Sequence, residues 1–254
     1  MNPTYASLQP YWEHPEQLMD KGTPIHRGRN ELRVVEVEGV RVCIKQYGVP
    51  CVWRRLVYRF LRMPKGMQAW QNTQTLRAAG FDSPEEVAYI QYDTALGIDR
   101  SYYICLYQEG RTLYQWGEKN IEEIQADVTA LAQLTARLHE AGLMLCDYTP
   151  GNILQTKNGF AYVDTNRMRQ GKVSVRMGLS NMAGLWLQPE AADVLARTYA
   201  EARGANPEQA VEQYRSFRKK FWRRFVRRHH LKDCIIHHDL DGSEYRFTFN
   251  STIR

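Results

Sequence analysis

Three side chains that can hold a metal or accept a proton lie close together in the chain: Asp147, Asn152 and Asp164. Asp147 and Asn152 are separated by Tyr148, Thr149, Pro150 and Gly151, a composition that suits a bent loop whose two ends face one pocket. Asp164 follows the apolar run Phe160 to Val163, so it belongs where a buried strand emerges. Phosphoryl transfer to a hydroxyl uses such a set. One carboxylate orients the attacking oxygen, while an amide and a second carboxylate hold magnesium on the nucleotide phosphates.

These residues need elements to position them. Leu138 to Arg169 reads as the end of a helix, a loop carrying Asp147 and Asn152, a short hairpin and Asp164 at its tip. The helix opens with a capping box at Asn120 to Glu123. Its apolar positions Ile124, Val128, Leu131, Thr135 and Leu138 recur at helical spacing until Gly142. The hairpin joins Ile153–Thr156 to Phe160–Val163 through Asn158-Gly159.

A second hairpin lies upstream, where LRVVEV and VRVCIKQY flank Glu38-Gly39. A two-residue turn there sets Val37 opposite Val40, Glu36 opposite Arg41 and Val34 opposite Cys43, so that Val34, Cys43 and Lys45 share one face. Taken alone, Lys45 is a lysine on a solvated strand edge. Taken with Asp147, Asn152 and Asp164, it is a cation available to phosphate.

The remaining pattern is simpler. The first twenty residues, with Pro3, Pro10 and Pro15 among aromatics, read as an irregular lead-in. Helices are expected over Val52–Arg62 and Gln68–Ala79, and strands over Val87–Tyr92 and Tyr102–Tyr107. Asn206-Pro207 opens a last long helix in which Tyr214, Phe217, Phe221 and Phe225 form a core stripe. Glu244 to Phe249 alternates like a short strand.

Composition bounds the function. At 254 residues and 43% hydrophobic content, the chain can bury a sizeable core in one large domain or two lobes. It shows neither a charged leader followed by an apolar run nor an apolar run near the ~20 residues of a membrane span, so a cytoplasmic protein is expected. Cys43, Cys51, Cys105, Cys146 and Cys234 have no CxxC or Cys/His spacing and read as free thiols, not as a zinc site or disulfide framework. The net charge of +6 is concentrated between Gln213 and Lys232, where nine Lys or Arg occur with no Asp or Glu. Such a block fits an anionic partner. Its aromatics fall on a core stripe and no nucleic-acid-binding module accompanies them, so nucleic acid is not expected.

Lys45 in V-C-I-K, then LHEAGL, D-Y-T-P-G-N-I-L at 147–154 and V-D-T-N-R at 163–167 together resemble the protein-kinase-like superfamily. Within it the sequence is most similar to the lipopolysaccharide kinase family, the Kdo/WaaP and InaA-like branch. The resemblance spans about Gly22 to Arg169 and includes G-R-N at 28–30. It implies an α+β, two-lobed kinase-like fold: an N-lobe over 1–108 with a small antiparallel sheet, and a mainly helical C-lobe over 109–254. It implies ATP in the cleft and Mg2+ on the phosphates. It also implies transfer of the γ-phosphate to a sugar hydroxyl, a Kdo or heptose, of the lipopolysaccharide core or a lipid A-Kdo acceptor. Residue by residue, Lys45 matches the phosphate-gripping lysine, Val34 and Cys43 the residues over the adenine, Asp147 the catalytic aspartate, and Asn152 and Asp164 the magnesium ligands. The 213–232 block would then meet lipid A or the anionic inner face of the inner membrane.

The sequence departs from the kinase pattern at three places. Leu145 stands where H-R-D has its histidine, and no G-x-G-x-x-G precedes Lys45, which leaves a turn near Gly22 to Gly28 over the phosphates. The 68–79 helix has no acidic residue to orient Lys45, a role that would fall to Gln68 or Gln71, or to a glutamate from elsewhere. A pseudokinase serving as a nucleotide-binding or scaffolding module is the alternative from another class. A kinase for another small-molecule or protein hydroxyl is a further one.

Overall fold

A computed structural model describes residues 1–28, 30–49, 51, 63–95, 97–228, 234–238 and 245–249. The helix expected over 52–62 lies outside them, as do Arg29 and residues 229–232 of the basic block. The chain forms two compact units, Met1–Glu109 with Tyr162–Arg167, and Gly110–Ala161 with Met168–Arg254.

The first unit is built on five antiparallel strands: β1 (Thr23–Arg27), β2 (Glu31–Val37), β3 (Val40–Tyr47), β4 (Glu86–Thr94) and β5 (Gly97–Leu106), in the order β1-β2-β3-β5-β4. Glu38 and Gly39 adopt φ of 49° and 74°. Two successive left-handed residues make the turn whose twist matches the flanking strands, and they fix the register. Val37 pairs with Val40, Glu36 with Arg41 and Val34 with Cys43, as the turn residues demand.

One face of this sheet buries Val35, Val37, Val42, Ile44, Val87, Ala88, Tyr102 and Ile104. What covers it corrects the expectation of an irregular lead-in. A 3-10 segment (Pro3–Trp12) and helix α1 (Pro15–Lys21) pack Leu8, Trp12 and Met19 into that core. Such burial contributes about 1.5–3 kcal/mol per large side chain. The other face, with Tyr47 and Tyr103, packs against Ala69 of helix α2 (Lys65–Ala78). Close approach at the start of α2 requires Gly66, because a Cβ there would lie 2.3 Å from the Tyr89 ring. Where a turn over the phosphates was expected, Thr23–Arg27 instead forms β1 and pairs with β2.

The second unit is mainly helical. It holds α3 (Ile121–Glu140), α4 (Val175–Met182), α5 (Pro189–Ala202) and α6 (Pro207–Arg228). Glu123 accepts a hydrogen bond from the Asn120 backbone N–H at 3.0 Å, which caps α3, and Gly142 at φ 74° ends the turn that follows it. Ile124, Val128, Leu131, Thr135 and Leu138 are buried along α3, the stripe that the sequence spacing sets out. α3 packs on α5, and α5 on α6.

Short strands connect these helices: β6 (Arg111–Thr112), β7 (Leu143–Leu145), β8 (Ile153–Thr156), β9 (Gly159–Tyr162) and β10 (Met168–Gln170). β6, β8 and β9 form one sheet and β7 pairs with β10. The β8–β9 turn falls on Lys157-Asn158, one residue earlier than the Asn158-Gly159 dipeptide suggested. A final antiparallel pair, β11 (Cys234–His238) and β12 (Tyr245–Phe249), sets Cys234 opposite Phe249. Among the described residues, no helix is long and apolar enough to cross a membrane.

Candidate functional site

Lys45 stands in the middle of the first unit's sheet, opposite Leu32 on β2 and Tyr103 on β5. Only 7% of the residue is exposed. A buried ammonium needs an anionic partner, since isolated burial of a charge costs several kcal/mol. The partner is Asp164, whose Oδ1 lies 2.6 Å from Lys45 Nζ. The ammonium also lies 5.2 Å from the centre of the Tyr47 ring.

Asp164 is placed by an uncommon backbone. Its φ is 55°, in the left-handed region that Asp and Asn enter more readily than other side chains. Thr165 and Asn166, which follow it, are buried. Thr165 is tied to α2: its hydroxyl donates to the Ala69 carbonyl at 3.1 Å, and its own carbonyl accepts from Asn72 Nδ2 at 2.7 Å.

Gln68 and Gln71 do not take the orienting role suggested for them. Gln68 donates to the Met63 carbonyl at 3.1 Å, and Gln71 is exposed. The face that α2 turns inward carries Ala69, Thr73 and Leu76.

Val34 and Cys43 are a cross-strand pair, both half-buried. Cys43 also faces Cys105 on β5. Hydrogen bonding from the Cys105 thiol and the nearby Lys45 ammonium lower the Cys43 pKa. The same contact and burial raise that of Cys105.

In the second unit, Asp147 and Asn152 share the loop after β7. Thr149 N–H donates to the Asp147 carbonyl at 3.0 Å, and Asn152 Nδ2 donates to the same carbonyl at 2.9 Å. The residues between them form a 3-10 turn, Pro150–Asn152. That bond uses one of the two Nδ2 hydrogens, and Oδ1 is the acceptor atom of the Asn152 amide. A Cβ at Gly151 would lie 2.9 Å from the Tyr114 hydroxyl, so the tyrosine tip sits close over this turn. Burial and the Asp147 charge raise the pKa of Tyr114 and keep it a neutral donor. Leu145, at the position of the absent histidine, is buried, and its carbonyl accepts from Asn181 Nδ2 at 2.8 Å. Pairing of Leu145 with Met168 ties the chain before Asp147 to the chain after Arg167.

Sequence reasoning missed Asn72, Thr73 and Tyr103. Their signal was faint: Thr73 is a hydroxyl at helical spacing between Ala69 and Leu76, on a face otherwise apolar.

Comparison with protein-family models yields no match, and neither does comparison with curated proteins. Among solved structures, the chain is similar to one described as "WaaP in complex with acyl carrier protein". The TM-score is 0.60 and the identity 17%, over 89% of this chain and 96% of that one. The fold is kinase-like. At that identity the likeness carries the fold alone, and the chemistry rests on the side chains described above.

Proposed function

We propose that the protein is an ATP-dependent phosphotransferase that moves the γ-phosphate to a sugar hydroxyl, a Kdo or heptose of the lipopolysaccharide core. The observation that carries this reading is the Lys45–Asp164 pair, a buried ammonium with a carboxylate 2.6 Å away on an α+β, kinase-like fold. The order of the motifs supports it, as does the WaaP likeness, since WaaP gives its name to part of the family the motifs resemble.

In this reading Lys45 holds the α and β phosphates, and Cys43, with Val34 beside it, forms an apolar surface over the adenine. Asp147 orients the acceptor hydroxyl and takes its proton as the phosphoryl group arrives. Asn152 and Asp164 are the proposed magnesium ligands, since an amide oxygen and a carboxylate oxygen are each the hard donor type that Mg2+ accepts. When bound, magnesium neutralises charge on the phosphates. Thr149 N–H and the Asn152 amide, both bonded to the Asp147 carbonyl, fix the loop so that Asp147 need not be reorganised during the reaction.

Helix α6 supports a location at the inner face of the inner membrane. Lys220, Arg223, Arg224 and Arg227 are exposed at i, i+3, i+4 and i+7 and therefore share one face. Each basic residue near an anionic leaflet contributes about 1 kcal/mol. The buried side of the helix carries Tyr214 and Trp222.

The direct test is transfer of labelled phosphate from ATP to extracted core lipopolysaccharide. Asp147→Ala and Asp164→Ala should each abolish it, with ATP binding retained in Asp147→Ala. Undiminished transfer in Asp147→Ala would overturn the assigned base. A nucleotide-binding module without turnover is the second reading, favoured by the absence of any carboxylate on α2. Stabilisation by Mg-ATP with no transfer to any hydroxyl acceptor would select it.

A further inference from the structure

In place of the missing helix carboxylate, Thr73 of α2 joins Thr165 and Tyr103 in a ladder of neutral hydroxyls. Thr165 donates its single hydroxyl proton to the Ala69 carbonyl, 3.1 Å away. It must therefore accept from Thr73 across the 2.9 Å that separates the two oxygens. Thr73, having donated, accepts from the Tyr103 hydroxyl at 3.1 Å. The direction of every bond follows from the one end that can only accept. Tyr103 suits its place as terminal donor, because burial raises its pKa well above the ordinary value and keeps the proton on.

The two ends of this ladder flank the charged pair. Tyr103 is the cross-strand partner of Lys45, and Thr165 is the residue after Asp164. Asn72 adds a fourth contact, donating to the Thr165 carbonyl at 2.7 Å. Ala69, Asn72 and Thr73 fall on one face of α2 by their i, i+3 and i+4 spacing. Thr165 is thus held through its hydroxyl and its carbonyl together, and the left-handed backbone of Asp164 immediately before it has little room to relax. That conformation turns the carboxylate to Lys45.

We propose that Thr73, assisted by Asn72, is a positioning residue: through Thr165 it fixes the Asp164 carboxylate as a magnesium ligand. The proposal rests on the nucleotide reading given above. It goes further by naming which residues of α2 act and on which partner they act. A hydroxyl ladder acts on the carboxylate, whereas a helix glutamate would act on the lysine.

The experiment is a Mg2+ titration of ATP-induced thermal stabilisation, which needs no acceptor and no turnover, run beside metal-free ATP binding in EDTA. Thr73→Val removes both ladder bonds at nearly constant shape. It should raise the Mg2+ concentration for half-maximal stabilisation by about 10-fold or more, the effect typical of removing a group that orients a metal ligand. Metal-free ATP binding, which depends on Lys45, should stay at the wild-type value. Thr73→Ser restores the hydroxyl and should restore the titration. If Thr73→Val is too unstable to assay, Asn72→Leu removes only the bond to the Thr165 carbonyl and carries the same expectation. An unchanged Mg2+ midpoint in these variants overturns the proposal, as does equal weakening of metal-free and metal-dependent binding, or failure of Thr73→Ser to recover. A wild-type protein that gains no Mg2+-dependent stabilisation from ATP overturns the nucleotide reading itself, and this proposal with it.

Discussion

The Lys45–Asp164 pair should respond asymmetrically to removal of either partner. At 2.6 Å the attraction between full charges is roughly 2 kcal/mol in bulk water and roughly 6 kcal/mol at the effective dielectric of a protein surface region. The two side chains differ in exposure, 9% for Lys45 against 33% for Asp164. Asp164→Asn deletes the anion while keeping the shape and the tolerance of left-handed φ. It strands the ammonium beside Tyr47 and Tyr103, and the cost of an uncompensated buried charge is about 3 kcal/mol or more. Lys45→Met keeps the aliphatic stem and leaves a carboxylate that still reaches water, so its cost should be about 1 kcal/mol. The double variant should lie close to Lys45→Met, because the ammonium that Asp164→Asn strands is gone. The assay is urea denaturation of the four proteins at low and high salt, with the coupling taken from the cycle. Equal single costs that simply add would show that the pair is screened, and the account of a buried ammonium held by one carboxylate would be wrong.

Other residues offer independent checks. His139 is buried, its Nδ1 2.9 Å from the Tyr199 hydroxyl, and burial, then the Arg203 charge, lower its pKa from 6.5 to about 4. The unfolded chain therefore binds more protons between those values, so stability is full above about pH 6.5 and falls by up to about 3 kcal/mol as pH drops to 4. A pH series of urea midpoints should show this slope in the wild type and a flatter one in His139→Gln. Gly66→Ala should lower stability by about 1–3 kcal/mol in the same assay, because the added carbon meets the Tyr89 ring at 2.3 Å. In timed alkylation read by peptide mass mapping, Cys43 should react before Cys105, given their opposite pKa shifts.

The parts of the fold that are legible in the sequence are those with a local physical cause. Glu38-Gly39 dictates the β2–β3 register because two consecutive left-handed residues close a two-residue hairpin, and that register puts Lys45 on the Cys43 face. Asn120, Glu123 and Gly142 bracket α3 for the same kind of reason. The Pro-rich beginning of the chain carries no periodicity, so nothing local announces that Leu8, Trp12 and Met19 cover a sheet face. β7 and β10 are three residues each, too short for alternation to register, and they are held by pairing with distant chain. Asp147, Asn152 and Asp164 stand out by residue type. The supports of Asp164 do not, because Asn72, Thr73 and Thr165 are ordinary polar residues whose value arises only when residues some ninety positions apart in sequence meet.

Neutral supports also change the charge around Lys45. A helix carboxylate on the ammonium would give it two anionic neighbours in the first unit, whereas here Asp164 is the partner that the short ion pair identifies and α2 contributes the Thr73 hydroxyl, the Asn72 amide and the Ala69 carbonyl, all neutral. The local sum is one unit more positive than with a glutamate. For a phosphate about 6 Å away, one fewer negative charge is worth roughly 3 kcal/mol at an effective dielectric of 20. The same change removes a restraint from the lysine, so order must be supplied from the other side of the pair. The hydroxyl ladder supplies it to the carboxylate by holding Thr165, whose position fixes the left-handed Asp164. Attraction for an anion and rigidity of the carboxylate thus come from different residues here, and for that reason metal-free and metal-dependent nucleotide binding should separate when Thr73 is changed.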